Sequence, residues 1–128
     1  MSFKTFLSIV AILGIVHGAA FVVAPDQVAT LYGLPTSAPV ALMSRLFGGA
    51  LLGWCGILWS ARSFRDDAAI RSVLLVTAVA EAVGVLISLA ATLSGTLNTL
   101  GWLAVAIYAF GTVGCAYFST GQKKLATA

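Results

Sequence analysis

The sequence predicts an all-α fold, a four-transmembrane-helix antiparallel bundle with a short interfacial helix in the first outer loop, and three observations carry that prediction. Hydrophobic residues make up 60% of the chain and charged residues 9%, and the mean hydropathy is +1.04, far from an ordinary soluble domain. Four apolar runs approach the roughly 20 residues that a helix needs to cross a hydrocarbon core. The basic residues sit mostly at the ends of these runs, as membrane topology requires. A single integral membrane domain over residues 1–128 is expected, with spans at 6–24, 40–61, 73–93 and 100–118. It leaves no room for a soluble catalytic module, and the formal charge of +3 reads as topology and not as a nucleic-acid footprint.

Lys4 precedes the first span, and Phe6 to Ala24 then runs nineteen residues without a charge. A secretory signal peptide would share the basic start and the small-residue run Gly18-Ala19-Ala20. The apolar stretch continues through Phe21-Val22-Val23-Ala24, so a retained helix is expected. Pro25, Gly33, Pro35 and Pro39 punctuate the next stretch as a loop. Within it, Asp26 to Tyr32 suits a short helix along the interface, with Asp26 near its start, Gly33 ending it and Tyr32 at headgroup depth.

The second span is dense in glycine, and a helical wheel puts Arg45, Gly48, Gly49, Leu52, Gly56 and Ser60 on one face. Small residues let helix backbones approach closely where lipid supplies no hydrophobic drive. Gly14 with Gly18 and Gly49 with Gly53 form further small-xxx-small pairs, and packing within the chain is the expected use of Gly14, Gly18, Gly48, Gly49, Gly53 and Gly56, with dimerisation as the alternative. Replacing Gly49 or Gly56 by Leu is then expected to destabilise the bundle.

Arg62, Arg65, Asp66, Asp67 and Arg71 form a short charged connection. With Lys4, Lys123 and Lys124, this puts six of the seven basic residues on one side of four crossings, so both termini are expected to be cytoplasmic. The third span carries Glu81 near its centre, at about 3 kcal/mol on insertion scales, against which its Val, Leu and Ile residues return roughly 3 to 6 kcal/mol. Thr77, Glu81, Gly84, Ser88, Thr92 and Gly95 share a stripe, with Leu74, Val76, Val83 and Leu86 off it. That stripe should face the bundle interior, because lipid offers an acid no compensation. The last span has no charge, and Gly101, Tyr108, Gly111, Thr112, Cys115 and Ser119 share a face, which points Tyr108 inward. Trp102 and Tyr117 suit the two interfaces.

Glu81, Arg45, His17, Tyr108 and Ser88 are the candidate ligand-binding or proton-transfer residues. Arg45 either pairs with Glu81 or turns outward to Asp26 or lipid phosphate, leaving Glu81 neutral and hydrogen-bonded to Tyr108, His17 or Ser88. No catalytic residue is identified. One histidine cannot supply bis-imidazole haem ligation, and a metal would need more ligands than His17 and Glu81. Cys55 and Cys115 read as small buried hydrophobes, since no Cys-x-x-Cys spacing occurs. Phosphate-cradling, nucleophile-elbow and zinc motifs are absent from the sequence.

Four spans, a Pro- and Gly-containing first loop, the run Arg45-Leu46-Phe47-Gly48-Gly49 and a short basic turn after the second span resemble the DoxX-like group of small bacterial membrane proteins. The resemblance covers most of the chain as architecture. It implies a four-helix bundle in the bacterial inner membrane and, for some relatives, association with quinone-linked or thiol-linked redox systems. Two functions are expected from these readings. One is a non-enzymatic accessory subunit or ligand-binding bundle that holds a lipid- or quinone-like molecule, with membrane lipid, other membrane subunits or a second copy as partners. The other is a proton-coupled small-molecule transporter in which Glu81 titrates.

Overall fold

Each apolar run folds as one uninterrupted helix, and the helix starts follow from short capping residues. The structure is a computed structural model, and the residues it describes are 1–120; Lys123 and Lys124 lie outside the described residues. The helices are α1 (Phe3–Val23), α2 (Pro25–Leu31), α3 (Ala38–Ala61), α4 (Asp67–Leu93) and α5 (Gly101–Thr120). All but α2 are long and apolar enough to cross a membrane. Ser2 caps α1 by accepting from the Thr5 N–H at 3.2 Å, and Ser37 caps α3 by accepting from Val40 at 3.4 Å. Asp66 accepts from Ala68 at 2.9 Å, which starts α4 six residues before the expected span and draws Asp67 and Arg71 out of the connection into the helix.

Helix ends are closed in two ways. Gly33 (φ 78°) and Gly95 (φ 74°) take the left-handed conformation that ends α2 and α4, and Leu97 N–H then reaches back to the Ala91 carbonyl at 3.0 Å. The other ends use arginine. Arg45 Nε donates to the Val22 carbonyl at 3.4 Å, Arg62 Nε to Trp59 at 2.9 Å and Arg71 Nε to Ser119 at 2.8 Å. Each acceptor lies in the last turn of a helix, where carbonyls lack an intrahelical donor and the helix dipole favours a cation.

The helices pack as two pairs. α1 lies along α3 and α4 along α5, whereas the two pairs touch each other sparingly. In the first pair Ser8 accepts from Arg62, Gly14 lies against Cys55, Gly18 against Gly48, and Phe21 against Phe47. In the second, Arg71 reaches Ser119, Glu81 lies against Gly111, Gly84 against Tyr108 and Thr92 against Gly101. In both, residue numbers fall along one helix as they rise along its mate. These contacts bring Lys4, Arg62, Arg65 and Arg71 to one end of the molecule and the 24–38 and 94–100 connections to the other.

The basic end holds the main apolar core, built on Phe3, Phe6, Leu7, Leu58, Ile70 and Leu74. Leu74, expected off the interior stripe, is 1% exposed because the start of α4 meets this cluster; Val76, Val83 and Leu86 are exposed as expected. The glycine face of α3 divides. A Cβ at Gly48 would meet the Gly18 carbonyl at 2.7 Å and Phe21 Cβ at 2.8 Å, so this glycine is required by the α1–α3 contact. Gly14 and Gly18 serve the same seam. Gly49, Gly53 and Gly56 have nothing within 4 Å of such a Cβ, which corrects the expectation that they pack within the chain. A helix with a single close neighbour buries a narrow stripe, and these three lie outside it.

Candidate functional site

The polar residues that α1, α4 and α5 carry on their inner faces converge on a half-enclosed cavity of about 520 Å3 between the two helix pairs. Its wall includes Glu81, Gly84 and Ser88 from α4, Tyr108 from α5, His17 from α1, and Ser44 and Cys55 from α3. The structure thus brings together four of the five predicted site residues. Arg45 is not among the lining residues; its Nε donates to the Val22 carbonyl.

Two glycines set the acid and the phenol in place. Glu81 packs across the seam onto Gly111, where a Cβ would come within 2.7 Å of Oε2, and the Tyr108 ring lies over Gly84. Any larger residue would displace the functional side chain. Glu81 shares the cavity wall with Tyr108 and Cys55.

Neither arrangement expected for Glu81 forms. Among the described residues its carboxyl group has no ion pair and no hydrogen bond. Ser88 Oγ instead donates to the Gly84 carbonyl at 2.7 Å, and His17 Nδ1 bonds the Leu13 carbonyl at 2.7 Å. Helical serine returns its proton to a carbonyl one turn back, which is the local competition that removes it as a partner for Glu81. A ring nitrogen facing a carbonyl carries the hydrogen, so His17 keeps Nε2 as an acceptor without a partner among the described residues. The Tyr108 hydroxyl is likewise unpartnered there.

The cavity is closed differently at its two ends. Towards the basic end Phe6 stacks near Phe110 and Phe118, with ring centroids 5.5 and 5.2 Å away, and Phe3 meets Phe118 at 5.7 Å. The Phe6 ring lies on Gly114, which draws α1 against α5 below the cavity. At the loop end α2 and its exit cover the cavity with Tyr32 and Leu34. Burial raises the Tyr32 phenol from its ordinary pKa. Asn98 pins this cover: its side-chain N–H donates to the Leu31 carbonyl at 2.9 Å and its backbone N–H to Tyr32 at 3.1 Å. Along the side, Phe47 of α3 and Ile87 of α4 line the cavity while remaining 44% and 65% exposed, which places a rim on the sparsely packed α3–α4 seam.

Sequence reasoning missed Asn98, Phe47 and Ile87. Asn98 had a signal, as the one amide in an otherwise uncharged turn; the two apolar residues had none. Cys55 and Cys115 are free and buried. No group of three or more His, Cys, Asp and Glu side chains able to hold a metal ion occurs among the described residues. Comparison with protein-family models, with curated proteins and with solved structures yields no match, so the site is read from its own chemistry.

Proposed function

We propose that the chain is a non-enzymatic integral protein of the bacterial inner membrane that holds a lipid- or quinone-like molecule in the cavity between its helix pairs, acting as an accessory subunit or ligand-binding bundle. In this reading the four long helices cross the bilayer as an antiparallel bundle. Both termini are cytoplasmic, and α2 lies at the outer interface. The opposite numbering of the paired helices and the gathering of Lys4, Arg62, Arg65 and Arg71 at one end support that topology. Membership of the DoxX-like group is part of the proposal, and no residue role is taken from it.

The carrying observation is the cavity itself: an apolar space of about 520 Å3 with Glu81, His17 and Tyr108 on its wall, each offering a polar atom that no described residue engages. Ligand sites combine apolar walls with a few convergent polar groups in this way. The exposed rim at Phe47 and Ile87 would admit a molecule sideways from lipid. The transporter reading uses the same carboxyl group. The Phe6–Phe110–Phe118 packing beneath the cavity favours holding a ligand over passing it through.

Gentle purification followed by mass spectrometry should find an amphipathic small molecule bound to the parent protein and absent from Ala91→Trp, whose indole would fill the cavity. Equal small-molecule content in the two proteins would remove the basis of the proposal. Cysteine labelling should reach Ser37→Cys and Asn98→Cys from outside and Ser2→Cys only from inside.

A further inference from the structure

Given the ligand-binding reading, we infer that the head group of the occupant is a protonated amine, so that the cavity selects a lipophilic cation over a quinone or a fatty acid. The polar inventory of the wall is the reason. Among the described residues the Glu81 carboxyl group has no ion pair and no hydrogen bond, and neither Lys nor Arg lines the cavity. Arg45, the basic residue at the loop end of these helices, spends its Nε on the Val22 carbonyl. His17 also lines the space, and its Nδ1 is taken by the Leu13 carbonyl, which in the neutral ring leaves Nε2 as an acceptor. The Ser88 hydroxyl donates to the Gly84 carbonyl and presents an acceptor oxygen. The hydroxyls that can still donate to a ligand are those of Tyr108, Tyr32 and Ser44, none of which carries charge to offset Glu81.

A wall that holds an uncompensated acid and no described cation discriminates by chemistry. A quinone brings carbonyl oxygens, which are acceptors: they could meet the hydroxyls of Tyr108, Tyr32 and Ser44 but would leave the Glu81 carboxyl group without a partner. A fatty carboxylate would bring like charge to Glu81 inside an apolar space, where repulsion is least screened. An ammonium group supplies three donors and the missing positive charge together. The aromatic walls add to this, because Phe21, Phe47, Tyr108 and Phe110 all line the cavity and ring faces attract a desolvated cation. An apolar tail would then lie along Ile87, Ala91 and Leu97 towards α2.

The test uses three probes with one tail: dodecylamine, dodecanol and laurate, each offered at equal concentration to the full-length protein in a non-ionic detergent and read by native mass spectrometry. Dodecylamine should bind once per chain and roughly tenfold more tightly than dodecanol, as a charge-assisted contact implies, with laurate weakest. Glu81→Gln should bring the amine down to the level of the alcohol, and Ala91→Trp should expel both. If dodecanol or laurate binds the parent as well as dodecylamine does, the head-group inference is wrong while the cavity still holds a ligand. If none of the three binds the parent, the ligand-binding reading fails with it. The parent comparison decides these cases even where Glu81→Gln does not fold.

Discussion

The two helix pairs differ in what their closest glycine contacts admit. Along α1–α3 the closest approach is backbone on backbone: Gly18 and Gly48 face each other, each with the other's carbonyl within 3.0 Å of where a Cβ would stand, while Gly14 makes room for the Cys55 side chain. Along α4–α5 the glycines remove side chains so that other side chains have somewhere to lie, Glu81 on Gly111, Tyr108 on Gly84 and Thr92 on Gly101. The first seam is a packing joint, whereas the second is a seat for polar groups. The difference explains why the acid and the phenol both come from the second pair, while the first contributes His17 and otherwise mainly apolar wall. It also shows that small-residue spacing alone does not distinguish a joint from a site.

The strongest way to break this comparison is Gly48→Leu. The new side chain would run into the backbone of Gly18 and the Cβ of Phe21, neither of which can rotate away, so a loss of about 1 to 3 kcal/mol is expected, towards the upper figure. Thermal unfolding in detergent would read it, and a parent-like melting curve would mean that α1 and α3 do not meet at Gly48.

Gly111→Ala should behave differently. The added methyl group meets the end of a flexible side chain, and alanine is the better helix former by up to about 1 kcal/mol, so stability should change by less than about 1 kcal/mol. Dodecylamine binding should nevertheless fall, because Glu81 loses its seat. If binding is kept while stability drops, the second seam is a packing joint like the first.

The smallest effect is expected at Gly49→Leu and Gly56→Leu, within about 0.5 kcal/mol of the parent, since open space surrounds both positions. A clear destabilisation of the purified protein would sharpen the comparison in another direction, because it would require a second copy of the chain to cover that face.

These contrasts also mark how far the sequence could be read. Span-length apolar runs located the four long helices, because crossing lipid demands length and composition that little else produces. Glu81, His17, Tyr108 and Ser88 came out on one cavity because an intramembrane polar group has no favourable place except the interior. The partner of each group was not legible. Arg45 donates to a helix-terminal carbonyl where Glu81, Asp26 or lipid phosphate was expected, since the open carbonyls at a helix end are acceptors that a sequence does not display. Gly48 and Gly49 are adjacent and equivalent in any pattern, yet about 100° of helical rotation puts one in a joint and leaves the other bare. Leu74 was misread because the cluster it joins is built from the start of α1 and the end of α3, and no local pattern reveals which helices will meet.

The pairing has a consequence for how the protein is made. Each pair is contiguous in the chain, α1 with α3 from the first half and α4 with α5 from the second, so during synthesis the first half can complete its closest contacts before the second has left the ribosome. The halves would then meet as preformed hairpins over a small shared surface around Phe6, Phe110 and Phe118. A molecule lodged between them would act as mortar, bound to the joined form and not to the separate halves, and would shift the docking equilibrium by mass action. On the proposed function, halves that meet without such a molecule would dock less firmly than halves that meet around it.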